Sequence, residues 1–144
     1  MMTVYVNTDG KYEIFAEIAS IGVGEILEDE FDKMILDAKK KCSERRMLGA
    51  LLINGEYNSS ERRMMSLVSH YIEDVFVIDR KVYCHILLLD TDMGRFFKEY
   101  LDQYLTKDDN LFEDKELIVE CVGNGMSLFG EGFKIERIDI LHRG

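Results

Sequence analysis

The chain has 144 residues, of which 47% are hydrophobic and 32% charged, and its formal net charge is −10. That size and balance suit one domain over residues 1–144 built around one core, and no apolar run approaches the roughly 18 uncharged residues of a membrane span. The acidity argues against direct nucleic-acid binding, which relies on clustered Lys and Arg to neutralise phosphates.

The opening Met1-Met2-Thr3-Val4-Tyr5 has no basic segment followed by an apolar stretch, so a soluble intracellular protein is expected. Cys42, Cys84 and Cys121 are odd in number and lack Cys-x-x-Cys spacing. They predict a reducing compartment with neither a disulfide framework nor a zinc knuckle, and neither a metal site nor a cofactor is expected. Proline is absent, which leaves the turns to glycine, Asn and Asp.

In chain order, Val4-Tyr5-Val6 and Tyr12 to Ile18 alternate apolar and polar residues around Asn7-Thr8-Asp9-Gly10, which predicts an opening hairpin. Phe31, Met34, Ile35 and Ala38 then recur at helical spacing within a helix expected from Glu28 to Lys41. Acidic residues begin it and Lys39-Lys40-Lys41 end it, in agreement with the helix dipole. Leu48 to Ile53 reads as a short buried strand before Asn54-Gly55, and Asn58-Ser59-Ser60-Glu61 as a polar loop.

Val68 to Val77 and Val82 to Asp90 read as strands joined at Asp79-Arg80, with Val82, Leu87 and Leu89 facing the core. Gly94 to Leu105 places Phe96, Phe97, Tyr100, Leu101 and Tyr104 along one helical face, and strands follow at Leu117 to Val122 and Phe133 to Leu141. The pattern predicts an α+β fold.

Imidazole chemistry is restricted to His70, His85 and His142. His70 draws notice because Ser69 precedes it at the start of a strand. A histidine near neutral pKa can take a proton from a nucleophile and return it to a leaving group, provided the nucleophile lies within hydrogen-bond reach.

Val68-Ser69-His70-Tyr71-Ile72, followed by Leu88-Leu89-Asp90-Thr91-Asp92-Met93-Gly94-Arg95, resembles the central signature of the prohead core proteases of tailed bacteriophages. That family carries a Val-Ser-His-x-Ile segment with its catalytic histidine, then Ile-Leu-Asp-Thr-Pro-x-Gly-Arg leading into a helix. Weaker similarity extends to Tyr12 through Ile18 and to Phe133 through Ile140. The resemblance implies an assemblin-like architecture, a mostly antiparallel barrel-like sheet flanked by two main helices.

The departures bear on activity. Where the family has Ser-Ser-Arg-Gly-x-Gly with its serine nucleophile, this chain has Glu120-Cys121-Val122-Gly123-Asn124-Gly125. Glutamate cannot form the acyl-enzyme of a serine protease, whereas Cys121 could form a thioester if His70 raised its thiolate fraction. Asp92 replaces the family's proline, and Gly49-Ala50-Leu51-Leu52-Ile53-Asn54 stands where relatives have Gly-Glu-Leu-Gly-His-Pro. Ser127 and Ser69 are weaker nucleophile candidates, and Asp37, Glu56 and Asp74 are candidate third members of a triad.

The resemblance, eroded at these positions, implies a non-catalytic homologue that serves capsid assembly or the virion by binding capsid, scaffold or other virion proteins. It would reside in the host cytoplasm during assembly or in the virion, with oligomerisation left open. The alternatives are an active maturation protease using Cys121 and His70, and a small acidic regulator that binds through Phe96, Phe97 and Tyr100.

Overall fold

The structure is a computed structural model that describes residues 2–20, 28–53, 68–104, 111–113, 117–124 and 132–142. The elements are β1 (Met2–Val6), β2 (Tyr12–Ser20), α1 (Glu28–Ser43), β3 (Leu48–Ile53), β4 (Val68–Ile78), β5 (Lys81–Leu88), α2 (Asp92–Tyr104), β6 (Leu111–Glu113), β7 (Leu117–Asn124) and β8 (Lys134–His142). They form one eight-stranded sheet in the order β6-β1-β2-β5-β4-β3-β8-β7. Among the described residues only the β3–β8 pairing is parallel.

Strand β7 stands at the far end of the strand order from β6 yet packs against β2 and β1, so the sheet curls into a half-barrel. Helix α1 packs against β4 and β8, and α2 against β3, β4 and β5. This is the α+β arrangement expected from the sequence, including the predominance of antiparallel strands.

The interior is filled from alternate strand positions: Val4 from β1, Ile14 and Ala16 from β2, Val82, Cys84 and Ile86 from β5, and Ile138 and Ile140 from β8. Phe31, Met34, Ile35 and Ala38 supply the buried stripe of α1, as their spacing predicts, and Cys42 extends it. Each Val, Ile, Phe or Met among them contributes about 1.5–3 kcal/mol on burial.

Two expectations about the core need correction. Leu87 and Leu89 are only partly buried, and the core-facing residues of β5 are Val82, Cys84 and Ile86. In α2, Phe97 and Leu101 are buried while Phe96 is 41% exposed. Adjacent helical residues diverge by about 100°, so Phe96 and Phe97 cannot share one buried face. The side chain of Tyr104 lies outside the described residues, as does the loop over Asn58 to Glu61.

The turn at Asp79-Arg80 holds two non-glycine residues at positive φ, 50° and 65°. Positive φ at both central positions is the signature of a type I′ hairpin turn, matched to the right-handed twist of the strands it joins. Earlier in β4, an irregularity between Ile72 and Asp74 shifts the alternation so that both Ile72 and Val75 point inward.

Candidate functional site

His70 lies near the start of β4, opposite Gly49 of β3 on one side and Leu88 of β5 on the other. It is fully buried, and the ring of Phe97 from α2 meets it edge-on at 6.1 Å. Both ring nitrogens have partners inside the protein. Nε2 lies 2.8 Å from the carbonyl oxygen of Ile138 on β8, and Nδ1 lies 2.8 Å from Oγ of Ser69.

A carbonyl oxygen only accepts, so Nε2 carries the proton and donates it to Ile138. Nδ1 is then the acceptor, and the Ser69 hydroxyl donates to it. Burial drives the histidine pKa down to about 4, against which the bond to Ile138 acts only in part. His70 is therefore neutral at physiological pH.

The imidazole reaches Ile138 by passing over Gly49. A Cβ at Gly49 would stand 1.8 Å from the Ile138 oxygen and 2.2 Å from His70 Nε2, closer than nonbonded atoms can approach. Strand β3 thus needs glycine at this position so that a β4 side chain can bond to β8. The apolar Leu48–Ile53 strand serves this close approach.

Helix α2 is fixed beside the same point. Thr91 Oγ1 accepts from the backbone N–H of Gly94 at 3.0 Å, capping the helix, and donates to the carbonyl of Val68 at 2.7 Å. The Leu89 N–H donates to the carbonyl of Ser69 at 3.0 Å. A Cβ at Gly94 would come within 1.9 Å of the Leu89 oxygen, so the glycine permits that fold-back. Arg95 pairs with Asp90 and Asp92 at the exposed surface. The Asp90-Thr91-Asp92-Met93-Gly94-Arg95 motif thereby clamps the helix start to the Val68-Ser69-His70 backbone.

Cys121 stands opposite Ile138 in the β7–β8 ladder. It is half-buried, and burial, followed by the nearby carboxylates of Asp139 and Glu120, pushes its thiol up to about 12. This environment suppresses the thiolate that nucleophilic attack requires. Cys84 is buried and shifted upward as well.

No catalytic pairing of Cys121 with His70 is formed, because the histidine's two ring nitrogens face Ile138 and Ser69. Ser69 does meet His70, but it is fully buried. Ser127 lies outside the described residues, as do Glu56 and Gly125 and the side chain of His142.

The other carboxylate candidates serve elsewhere. Asp37 pairs with Lys41 at 3.0 Å, and Asp74 pairs with Lys39 at 3.0 Å while accepting from the Val75 N–H. Gly123 sits in β7 where a Cβ would enter the ring of Phe133, a close packing contact. Among the described residues, no group of three or more His, Cys, Asp or Glu side chains could hold a metal ion.

Sequence reasoning missed three participants: Gly49, the carbonyl of Ile138, and Asp139. The last is buried between Ile138 and Ile140, accepts from the Ala50 N–H at 3.0 Å, and has Arg137 at 3.4 Å. A glycine inside a strand marks close approach of another group, and a carboxylate inside an apolar strand run must find donors. Both signals were present in Gly49 and Asp139.

No model of a known protein family matches the chain, and no curated protein sequence does. Among solved structures, the bacteriophage T4 capsid assembly protease, gp21, superposes with a TM-score of 0.56 at 13% sequence identity, covering 99% of this chain and 89% of that one. The chain therefore has the fold of a phage capsid assembly protease, in line with the assemblin-like architecture that its central motif implies.

Proposed function

We propose that the chain is a non-catalytic homologue of the prohead proteases that acts in phage capsid assembly as a structural or binding protein, with capsid, scaffold or other virion proteins as partners. The observation that carries this reading is the commitment of His70: its Nε2 proton is held by Ile138, its Nδ1 accepts from buried Ser69, and its pKa is driven down to about 4. A general base must present its unprotonated nitrogen, with a pKa near the operating pH, to a nucleophile that substrate can reach, whereas Ser69 is fully buried. The fold shared with the T4 capsid assembly protease supports the assembly context. On this reading the protein works in the host cytoplasm during assembly, or in the virion.

The test is co-expression of the full chain with the capsid and scaffold proteins of the same phage. The expected result is co-sedimentation with assembled shells while the partners retain their full length by mass spectrometry. Cleavage of any partner that is abolished by Cys121→Ala or His70→Gln would overturn the reading in favour of an active protease.

A further inference from the structure

The outward face of β1, β2, β5 and β4 carries a continuous surface of rings. Tyr5 stacks on Phe15 with centroids 5.5 Å apart and planes within 6°, and Phe15 stacks on His85 at 4.4 Å. Phe76 meets Phe15 edge-on at 6.2 Å and stacks on Tyr83 at 5.8 Å. Strand register sets this pattern, since Phe15 stands opposite His85 and Tyr83 stands opposite both Glu17 and Phe76. All five rings are half-buried, while the intervening Ile14, Ala16, Cys84 and Val75 fill the core.

Carboxylates lie among the rings. Glu13 Oε1 is held 2.7 Å from His85 Nε2, and Glu17, next but one to Phe15, has no ion-pair partner among the described residues. Lys81 stands only at the far end of the face, and no Lys or Arg occupies the positions between Tyr5 and Tyr83 on β1, β2 and β5 that carry the rings. At the opposite end the chain applies the matching chemistry to itself: the Arg45 guanidinium lies 4.5 Å over the ring of Tyr71 and pairs with Glu73 at 3.4 Å.

We propose that this face docks an arginine-bearing segment of a partner protein, seating guanidinium groups on the Tyr83 and Tyr5 rings, which the Phe15 stack holds in place, beside Glu17 and Glu13. The proposal deepens the assembly reading and rests on it for the identity of the partner. A guanidinium is planar and weakly hydrated, so it stacks on aromatic faces and pairs with carboxylates where an ammonium would stay solvated. The net charge of −10 also steers a cationic chain toward the protein. Phosphate-bearing partners are repelled by the same carboxylates.

The test measures binding of a fluorescent Gly-Arg repeat peptide to the full chain at physiological salt, alongside Gly-Lys and Gly-citrulline repeats and an oligothymidylate. Binding in the order arginine, lysine, citrulline is expected. Glu17→Gln should weaken the arginine peptide by about fivefold, the upper scale of one exposed ion pair, and Tyr83→Leu should weaken it as well. Glu136→Gln makes the same charge change at an exposed site on β8 and should leave binding unchanged.

Equal weakening by Glu17→Gln and Glu136→Gln would reveal diffuse charge attraction and overturn the proposal. Preferential binding of the oligothymidylate, self-association of the chain that Tyr83→Leu abolishes, or no peptide binding at all would overturn it too. If the chain accompanies assembled shells while Glu17→Gln alters neither that association nor peptide binding, the surface is wrong and the assembly reading stands. If peptide binding behaves as expected but the chain never accompanies shells, the assembly reading fails and the surface stands.

Discussion

The imidazole of His70 donates from Nε2 to the carbonyl oxygen of Ile138 at 2.8 Å, across the glycine of the intervening strand. One side chain therefore links β4 to β8 over Gly49 of β3, at the point where the curled sheet brings its antiparallel and parallel pairings together. A residue that looks catalytic by its motif is thereby held as a neutral crosslink.

The pH dependence of stability follows from that burial. The folded-state pKa, about 4, lies below the ordinary value of 6.5, so the unfolded chain binds a proton at His70 between those values and the folded chain does not. Stability from this group is fully present above pH 6.5 and is lost as the pH falls toward 4, by on the order of 3 kcal/mol. Denaturant titrations of the wild type and His70→Gln at several pH values isolate the effect, because the remaining groups titrate in both. The stability difference between the two should shrink on acidification.

Gly49→Ala should be severely destabilising, by about 3 kcal/mol or more, because the added methyl meets a backbone oxygen and a buried ring. Since the Ile138 oxygen is backbone, the double variant Gly49→Ala/His70→Ala should not recover the loss. Thermal unfolding of Gly49→Ala, His70→Ala and the double variant checks this, and full rescue in the double variant would contradict the geometry.

Arg80→Gly should stabilise the β4–β5 hairpin by on the order of 1 kcal/mol, since arginine at φ 65° occupies a region that glycine enters freely. The resulting Asp-Gly pair is a preferred type I′ sequence. Chemical denaturation should show a higher midpoint with an unchanged slope.

Cys121 should react slowly with iodoacetamide at pH 8 in the native protein. A thiol pushed up to about 12 by burial and by Asp139 and Glu120 holds at least a hundredfold less thiolate than an ordinary cysteine. Peptide mapping after timed alkylation, with urea-unfolded chain as reference, measures the ratio. Native labelling as fast as unfolded labelling would support an activated nucleophile.

Much of the architecture was legible because the strands alternate and the helices carry clear stripes. Tyr12 to Ile18 and Leu48 to Ile53 form the strands expected of them, and α1 and α2 begin and end close to their predicted limits. Strand β6 was not read, since three residues are too few to display a period. The run Ile86-Leu87-Leu88-Leu89 has no alternation of its own, which is why its inward phase was assigned to Leu87 and Leu89 rather than to Ile86.

The candidate site was legible only in part. His70 and the Asp90 to Arg95 motif could be singled out, and the structure gives the latter a role in clamping α2. The partner of His70 could not be read, because it is a backbone carbonyl 68 residues away and any residue at position 138 would supply it. The ring surface escaped notice for a similar reason: Tyr5, Phe15, Tyr83 and Phe76 come together through register between four strands, not through spacing within one.

The most direct test of His70 as a neutral crosslink is nitrogen NMR of its imidazole across a pH titration. The account predicts a single Nε2–H tautomer with a slowly exchanging proton and no titration until the pH approaches about 4. A ring that titrates near its ordinary value of 6.5, with fast exchange at Nε2, would contradict it and return His70 to the role of an available base.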